Sequence, residues 1–230
     1  KKQNCKPENI LALTFTNDAA NHLKNKLVKD IGILGEELSA CTFHSFAQLQ
    51  TMNHYFKLGY TRPPKLMNKG DAYYLMRSNF DKLKKIRSKL FRRNPVNAIK
   101  SLIKIFDAYR QNLLTHDELI FHKNSEINNI ENCLNDKEIE NINQLVDAVD
   151  IYSYYQDWKR DANWVDYGDF ILNLWILITT NDDVLIQFQN KYKHIIIDEF
   201  QDNNYALSKI VEKIALPQNS ITVVGDDDQC

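Results

Sequence analysis

No apolar run in this chain approaches bilayer-spanning length: the longest, Phe170 to Ile178, is interrupted by Asn173 and reads as a buried helix. Nor does Lys1-Lys2-Gln3-Asn4 lead into the apolar region of a secretion signal, so no membrane partner is expected. Cysteine is sparse. Cys5, Cys41, Cys133 and Cys230 lie far apart, without the paired spacing of a metal site or a disulfide framework, which points to a reduced, cytoplasmic setting. Neither sign of charge is in excess: 29 basic against 30 acidic side chains leave a net charge of −1 at pH 7. A global electrostatic pull toward nucleic acid is thereby excluded, and any such binding must come from a local face. Internal repeats and low-complexity tracts are also missing, although the Asn-rich piece from Asn124 to Asn135 reads as a loop or frayed connection.

What is present begins with Ile195-Ile196-Ile197-Asp198-Glu199-Phe200-Gln201-Asp202, where an apolar β-branched run ends abruptly in acids and an amide. A continuous Ile run suits a strand covered on both faces, as in a parallel sheet flanked by helices. Its first acid then lies at the carboxyl end, where open α/β sheets place their ligands. Two adjacent acids there have separate uses in nucleotide hydrolysis: Asp198 to hold Mg²⁺ and Glu199 to orient or deprotonate water. A solvated acidic turn is the competing reading.

The rest of the chain changes character twice. Ile10 to Phe15 and Ala40 to Phe43 read as buried strands, the first followed by a helix opened by Asn17-Asp18. From about Thr61 the pattern becomes helical, over Ala72 to Phe91, Ala98 to Leu114 and Glu138 to Lys159, with no strand signal. Helices from Gly168 to Thr179 and from Tyr205 to Leu216, with a last strand from Ile221 to Val224, restore the α/β alternation. The expected architecture is therefore an α/β domain over 1–60 and 167–230, interrupted by an all-helical insertion over 61–166. The last strand closes on Gly225-Asp226-Asp227-Asp228-Gln229, a polar turn at a second strand end.

Four segments carry a resemblance. Thr14-Phe15-Thr16-Asn17 with Ala19-Ala20, then Thr42-Phe43-His44-Ser45-Phe46, then Asp198-Glu199-Phe200-Gln201-Asp202, then Val223-Val224-Gly225-Asp226-Asp227-Asp228-Gln229 resemble, in order and separation, the motifs of superfamily-one DNA helicases of the UvrD/Rep/PcrA type. Asp169-Phe170 is similar to the Asp-Phe pair that precedes the family's acidic motif. The resemblance implies a RecA-like parallel-sheet motor domain that couples ATP hydrolysis to 3′-to-5′ movement along single-stranded DNA and to duplex unwinding, in repair or replication restart. It implies that Asp198 coordinates Mg²⁺, Glu199 is the catalytic base and Gln229 senses the γ-phosphate of ATP. Gln201 and Asp202 would support the phosphate site. Phe15 would meet a base, while Thr16, Asn17, Thr42, Phe43, His44 and Ser45 would line the DNA path. The chemistry agrees, because an aromatic face stacks on any base and small polar groups at helix N-termini suit phosphates. Phe15 and Phe43 as core aromatics, and Thr16 or Asn17 as a helix cap, are the competing readings.

The departures also carry expectations. The family's phosphate-binding loop ends in Gly-Lys-Thr/Ser, a sequence found nowhere in this chain, and neither an initiator Met nor a second motor domain with its arginine finger is seen. The chain is thus expected to be part of a longer protein and, by itself, inactive toward ATP. Asp18 and Cys230 stand where the family often has Lys and Ser. Within the insertion, the basic stretch containing Lys84, Lys85, Arg92 and Arg93 is expected either to touch duplex phosphates at a junction or to be a solvated helical face. Two alternatives to a plain helicase stay open: the motor of a helicase-nuclease subunit, and a non-catalytic DNA-binding scaffold with a decayed motor.

Overall fold

Leu11, Ala12 and Leu13 are almost wholly buried, as an apolar strand flanked on both faces must be. They belong to β1 (Ile10–Thr14), which pairs in parallel with β2 (Ser39–Thr42) on one side and β5 (His194–Ile197) on the other. A fourth strand, β6 (Ser220–Val223), pairs with β5, so the order is β2-β1-β5-β6 and every pair is parallel. The computed structural model describes residues 6–83, 85–130, 135–202, 204–216 and 220–226. It divides into unit 1, Lys1–Gly59 with Asn173–Cys230, and unit 2, Tyr60–Leu172.

Unit 1 holds the sheet. Register places Leu13 opposite both Cys41 and Ile197, so the carboxyl ends of β1, β2 and β5 finish level with one another. Crossover helices return the chain: α1 (Asn17–Ile31) follows β1, α2 (Phe43–Asn53) follows β2, and α9 (Asp182–Lys191) and α10 (Tyr205–Ala215) flank β5. Phe46 of α2, Phe188 of α9 and Tyr192 pack ring against ring at 5.8–6.3 Å between centroids. Such aromatic packing adds roughly 0.5–1.5 kcal/mol per pair beyond area burial. The Ile run of β5 is covered less evenly than its composition implies, with Ile195 and Ile197 buried and Ile196 half-buried. All four residues of β6 are exposed.

Unit 2 is mostly helical: α3 (Lys69–Phe80), α4 (Lys89–Arg93), α5 (Pro95–Gln111), α6 (His116–Asn129) and α7 (Asp136–Ala162). Met76, Leu102, Phe106, Tyr152 and Tyr155 form its core. It is not all helical, because β3 (Lys65–Leu66) and β4 (Trp164–Val165) form a parallel two-residue ladder. The division between the units falls within α8 (Tyr167–Thr180).

Two further expectations are corrected. A single helix from Ala72 to Phe91 does not form; α3 ends at Phe80, and an irregular segment leads to the short α4. Carboxylates of α7 favour the break: Asp147 accepts the N–H groups of Arg87 and Ser88, and Glu140 accepts those of Lys89 and Leu90. Backbone donors satisfied from another helix lose their need for helical partners. Conversely, the stretch from Asn124 is no loop as far as Asn129, because α6 extends that far from a Thr115/Glu118 capping box; residues 131–134 lie outside the described residues.

Candidate functional site

The carboxyl ends of β1, β2 and β5 open onto a cavity of about 180 Å³ in unit 1, lined by Phe15, Thr42, Phe43, His44, Asp198 and Glu199 among others. Three chain segments far apart in sequence thus converge at the sheet edge where parallel α/β folds bind ligands.

Helix caps set the first two segments. The Thr16 hydroxyl accepts from the N–H of Ala19 at 3.1 Å and caps α1, while Thr42 accepts from Ser45 N–H at 3.1 Å and caps α2. Hydroxyls at Thr14 and Ser45 tighten these turns, Thr14 Oγ1 donating to Thr16 O at 2.9 Å and Ser45 Oγ lying 2.8 Å from Thr42 Oγ1. α2 therefore begins at the cavity and α1 follows its Phe15 wall, each with an N-terminal dipole suited to anions. Between the caps Phe15 is 64% exposed, too open for a core residue, whereas Phe43 is 7% exposed and belongs to the core. Phe43 nevertheless lines the cavity, from its buried side. Partial desolvation lowers the pKa of His44, although the residue keeps an exposed face. Asn17 is exposed beside its capping neighbour.

The third segment leaves β5 in a sharp turn. Asp198 N–H donates to Leu13 O at 2.9 Å, which fixes the strand end against β1. Glu199 adopts φ +54°, a left-handed conformation that costs a side-chain-bearing residue on the order of 1–3 kcal/mol unless neighbours impose it. Those neighbours are visible: Phe200 N–H donates to Val224 O at 2.9 Å, and Val224 N–H to Ile197 O at 2.8 Å. Gln201 then joins the two loops. Its Nε2 donates to Glu199 Oε2 at 2.5 Å, and its Oε1 accepts the N–H of Asp226 at 3.1 Å. A Cβ at Gly225 would lie 2.8 Å from Gln201 Oε1, so the amide's approach requires glycine there.

Asp198 is half-buried and Glu199 is exposed. A single carboxylate at a strand end fits Mg²⁺, which takes one or two protein carboxylates and completes its shell with waters and phosphate oxygens. Among the described residues no group of three or more His, Cys, Asp or Glu side chains is gathered for a metal. The chain fits the acidic part of a nucleotide site but supplies no Gly-Lys-Ser/Thr loop to cradle phosphates.

Some expected site residues fall elsewhere. Gln229 and Lys84 lie outside the described residues, and of Asp202 only the backbone, in a 3₁₀ turn over Phe200–Asp202, is described. Lys85, Arg92 and Arg93 are exposed residues of unit 2, Lys85 in the irregular segment and both arginines on α4, so they do not form one helical face. Two lining residues escaped sequence reasoning, Asn204 and Leu207. Asn204 caps α10 by accepting from Leu207 N–H at 2.9 Å; an Asn before an apolar-periodic run was the available signal.

The whole chain, residues 1–230, matches the model of the UvrD/REP helicase N-terminal domain. It is 30% identical, over its full length, to the ATP-dependent DNA helicase srs2 of Schizosaccharomyces pombe, covering 25% of that protein. It is 28% identical over 98% of its length to the ATP-dependent DNA helicase Rep of Buchnera aphidicola subsp. Schizaphis graminum, covering 31% of it. With DNA helicase II of Haemophilus influenzae it shares 24% identity over 99% of its length and covers 28% of that protein. The chain thus spans about a quarter to a third of the length of these curated relatives.

Proposed function

Because this chain belongs to the UvrD/REP helicase family, we propose that unit 1 is the first motor domain of an ATP-dependent DNA helicase and unit 2 the subdomain inserted into it. The observation that carries the proposal is the shared cavity, where Phe15 and the cap of α2 meet Asp198 and Glu199. In this reading one wall of the cavity handles DNA and the other handles nucleotide. Phe15 stacks on a base of single-stranded DNA, which any base permits. Thr16, Asn17, Thr42, His44 and Ser45 meet the sugar-phosphate backbone through hydroxyl, amide and imidazole groups and helix-terminal N–H groups. Movement is 3′ to 5′, leading to unwinding at a duplex junction.

On the nucleotide side, Asp198 holds the Mg²⁺ that, when bound, neutralises the phosphate charge. Glu199, held in a left-handed backbone conformation, orients the attacking water and takes its proton. Gln201 bridges that carboxylate to the Gly225-Asp226 turn, so displacement of either loop is felt by the other. Gln229, following the same turn in sequence, reports the γ-phosphate.

The test uses the full-length protein. Glu199→Gln should leave ATP binding within about twofold of wild type while lowering DNA-stimulated hydrolysis by at least about a hundredfold, as loss of a general base does. Loss of ATP binding, or retention of turnover, would remove Glu199 from the reaction.

A further inference from the structure

A second cavity, of about 470 Å³, lies in unit 2 between α7 and the irregular segment that follows α3. We propose that it captures one unpaired nucleobase of a nucleic-acid strand, with Tyr154 and Trp158 as the stacking platform and Lys82 and Lys85 holding the adjoining phosphate. The proposal rests on the reading above that the protein works on DNA, but uses none of the residues of unit 1.

Tyr154 and Trp158 sit four residues apart on α7 and so share a face. Their rings lie 6.2 Å apart, inclined by only 19°, and both residues line the cavity. Trp158 is half-buried against the core of unit 2, which fixes the back of the stack, while Tyr154 is 52% exposed at its mouth. Leu83 and Ile86, which pack on the same core, make the opposite wall apolar. A volume within the roughly 300–1,000 Å³ of small-molecule pockets is ample for a flat aromatic heterocycle.

Charge decides between a base and an uncharged apolar occupant. The two acids at the cavity are already committed: Asp147 accepts from Arg87 and Ser88 N–H at 3.0 and 2.7 Å, and Asp150 pairs with Lys123 at 2.7 Å. The two cations are not. Lys82 donates only to the neutral Asn79 Oδ1, at 2.8 Å, and neither Lys82 nor Lys85 forms an ion pair among the described residues. Aromatic rings beside ammonium groups that form no ion pair among the described residues suit a base and its phosphate, the combination that single-strand binding surfaces use.

The experiment titrates the full-length protein with oligothymidylate and with an abasic oligonucleotide of equal length and charge, reading affinity and tryptophan fluorescence. Oligothymidylate should quench the fluorescence, and Trp158→Phe should remove most of the quenching. Tyr154→Ala with Trp158→Ala should weaken oligothymidylate about tenfold and leave the abasic strand almost unchanged. Lys82→Ala with Lys85→Ala should weaken both strands and flatten the log-log salt dependence by about 0.7 for each phosphate no longer neutralised. The inference is overturned if quenching survives Trp158→Phe, or if the aromatic double variant binds both strands like wild type while Phe15→Ala weakens oligothymidylate. It is also overturned if 1-anilinonaphthalene-8-sulfonate fills the cavity and oligothymidylate does not displace it, which would mark an apolar protein-docking face. A wild-type protein that binds neither strand would overturn the DNA reading itself. Unchanged thermal unfolding of Trp158→Phe keeps a folding defect separate from a binding defect.

Discussion

Replacing Asp169 by Asn tests the largest concentration of buried charge in the described structure. Its carboxylate receives Lys159 Nζ at 2.5 and 2.6 Å, Arg110 Nη1 at 3.1 Å and the N–H of Asp166 at 2.8 Å. Arg110 and Lys159 are both 1% exposed and are balanced by Asp166 and Asp169, with the half-exposed Asp107 on the arginine's outer edge at 2.5 Å. The site has no slack, since a Cβ on Gly168 would approach Arg110 Nε to 2.5 Å. The substituted amide would keep the shape, present a donor to an ammonium donor, and leave two buried cations facing one buried anion. Stripping one partner from a buried pair costs about 3–5 kcal/mol, because the surviving charge is desolvated without compensation. At roughly 2–4 °C per kcal/mol for chains of this size, the unfolding midpoint should fall by about 6–20 °C. In the 230-residue chain, Trp175→Phe leaves Trp158 and Trp164, both in unit 2, so the fluorescence of that chain during urea unfolding follows the unit alone. Lys159→Met added to Asp169→Asn should restore about 2 kcal/mol or more, a coupling that two independent sites would lack. A single-variant loss below about 1 kcal/mol, or strict additivity in the double variant, would refute the account of the cluster.

The same cluster sets an acid limit. Burial alone would raise the pKa of Asp166, but the charges of Lys159 and Arg110, with hydrogen bonds from Tyr155 and Arg110, hold it well below the ordinary carboxylate range. A depressed pKa stabilises the fold above the unfolded value of about 3.9 and loses that contribution as pH falls toward the folded value; stability attributable to Asp166 should be level from neutrality to about pH 5 and decline below about pH 4, as acid titrations of wild type and Asp166→Asn will show by difference. Phe15→Ala in the full-length protein should weaken single-strand binding by about 1–3 kcal/mol with little sequence dependence and leave the melting temperature unchanged, since an exposed ring has little packing to lose; a large drop in melting temperature with intact affinity would make Phe15 structural. Burial pushes the Cys41 thiol up to about 11 despite the opposing charge of Lys24, so iodoacetamide near pH 8 should label it about two orders of magnitude more slowly than an unperturbed thiol, read by mass spectrometry against Cys41→Ser.

Much of unit 1 was legible because its signals are local. An apolar run followed by Thr-x-x-Ala or Thr-x-x-Ser states both the strand and the cap of the next helix, and β1, β2, α1 and α2 formed where those signals stand. The turn after β5 was legible as a candidate site for the same reason, since Asp198 and Glu199 follow a strand end. Unit 2 was read less well because its decisive interactions are distant in sequence. Arg87 and Ser88 reach Asp147 across separations of 60 and 59 residues, and Arg110 reaches Asp166 across 56. Nothing within a helical window distinguishes Lys159, buried against Asp169, from a lysine in water. The ladder of β3 and β4 has two residues per strand, too few to show alternation.

That contrast bears on how the two loops at the sheet edge communicate. Asp198 and Glu199 could be found by composition, yet the placement of the Glu199 carboxylate depends on Gln201, whose amide donates to one loop and accepts from the other. Gln is suited to that bridge because one planar group offers a donor and an acceptor about as far apart as the two loops require, whereas Glu would place a second negative charge against Glu199 and lose the donor. Gly225 completes the constraint, since any side chain there would meet the bridging oxygen. Glu199's left-handed backbone is held from the same direction, by the Phe200 N–H bond to Val224 and the Val224 N–H bond to Ile197. The orientation of the acid and the position of the turn after β6 are therefore one structural variable. A shift of that turn must either carry Gln201 with it or break its bond to Glu199, and either result changes where the carboxylate points.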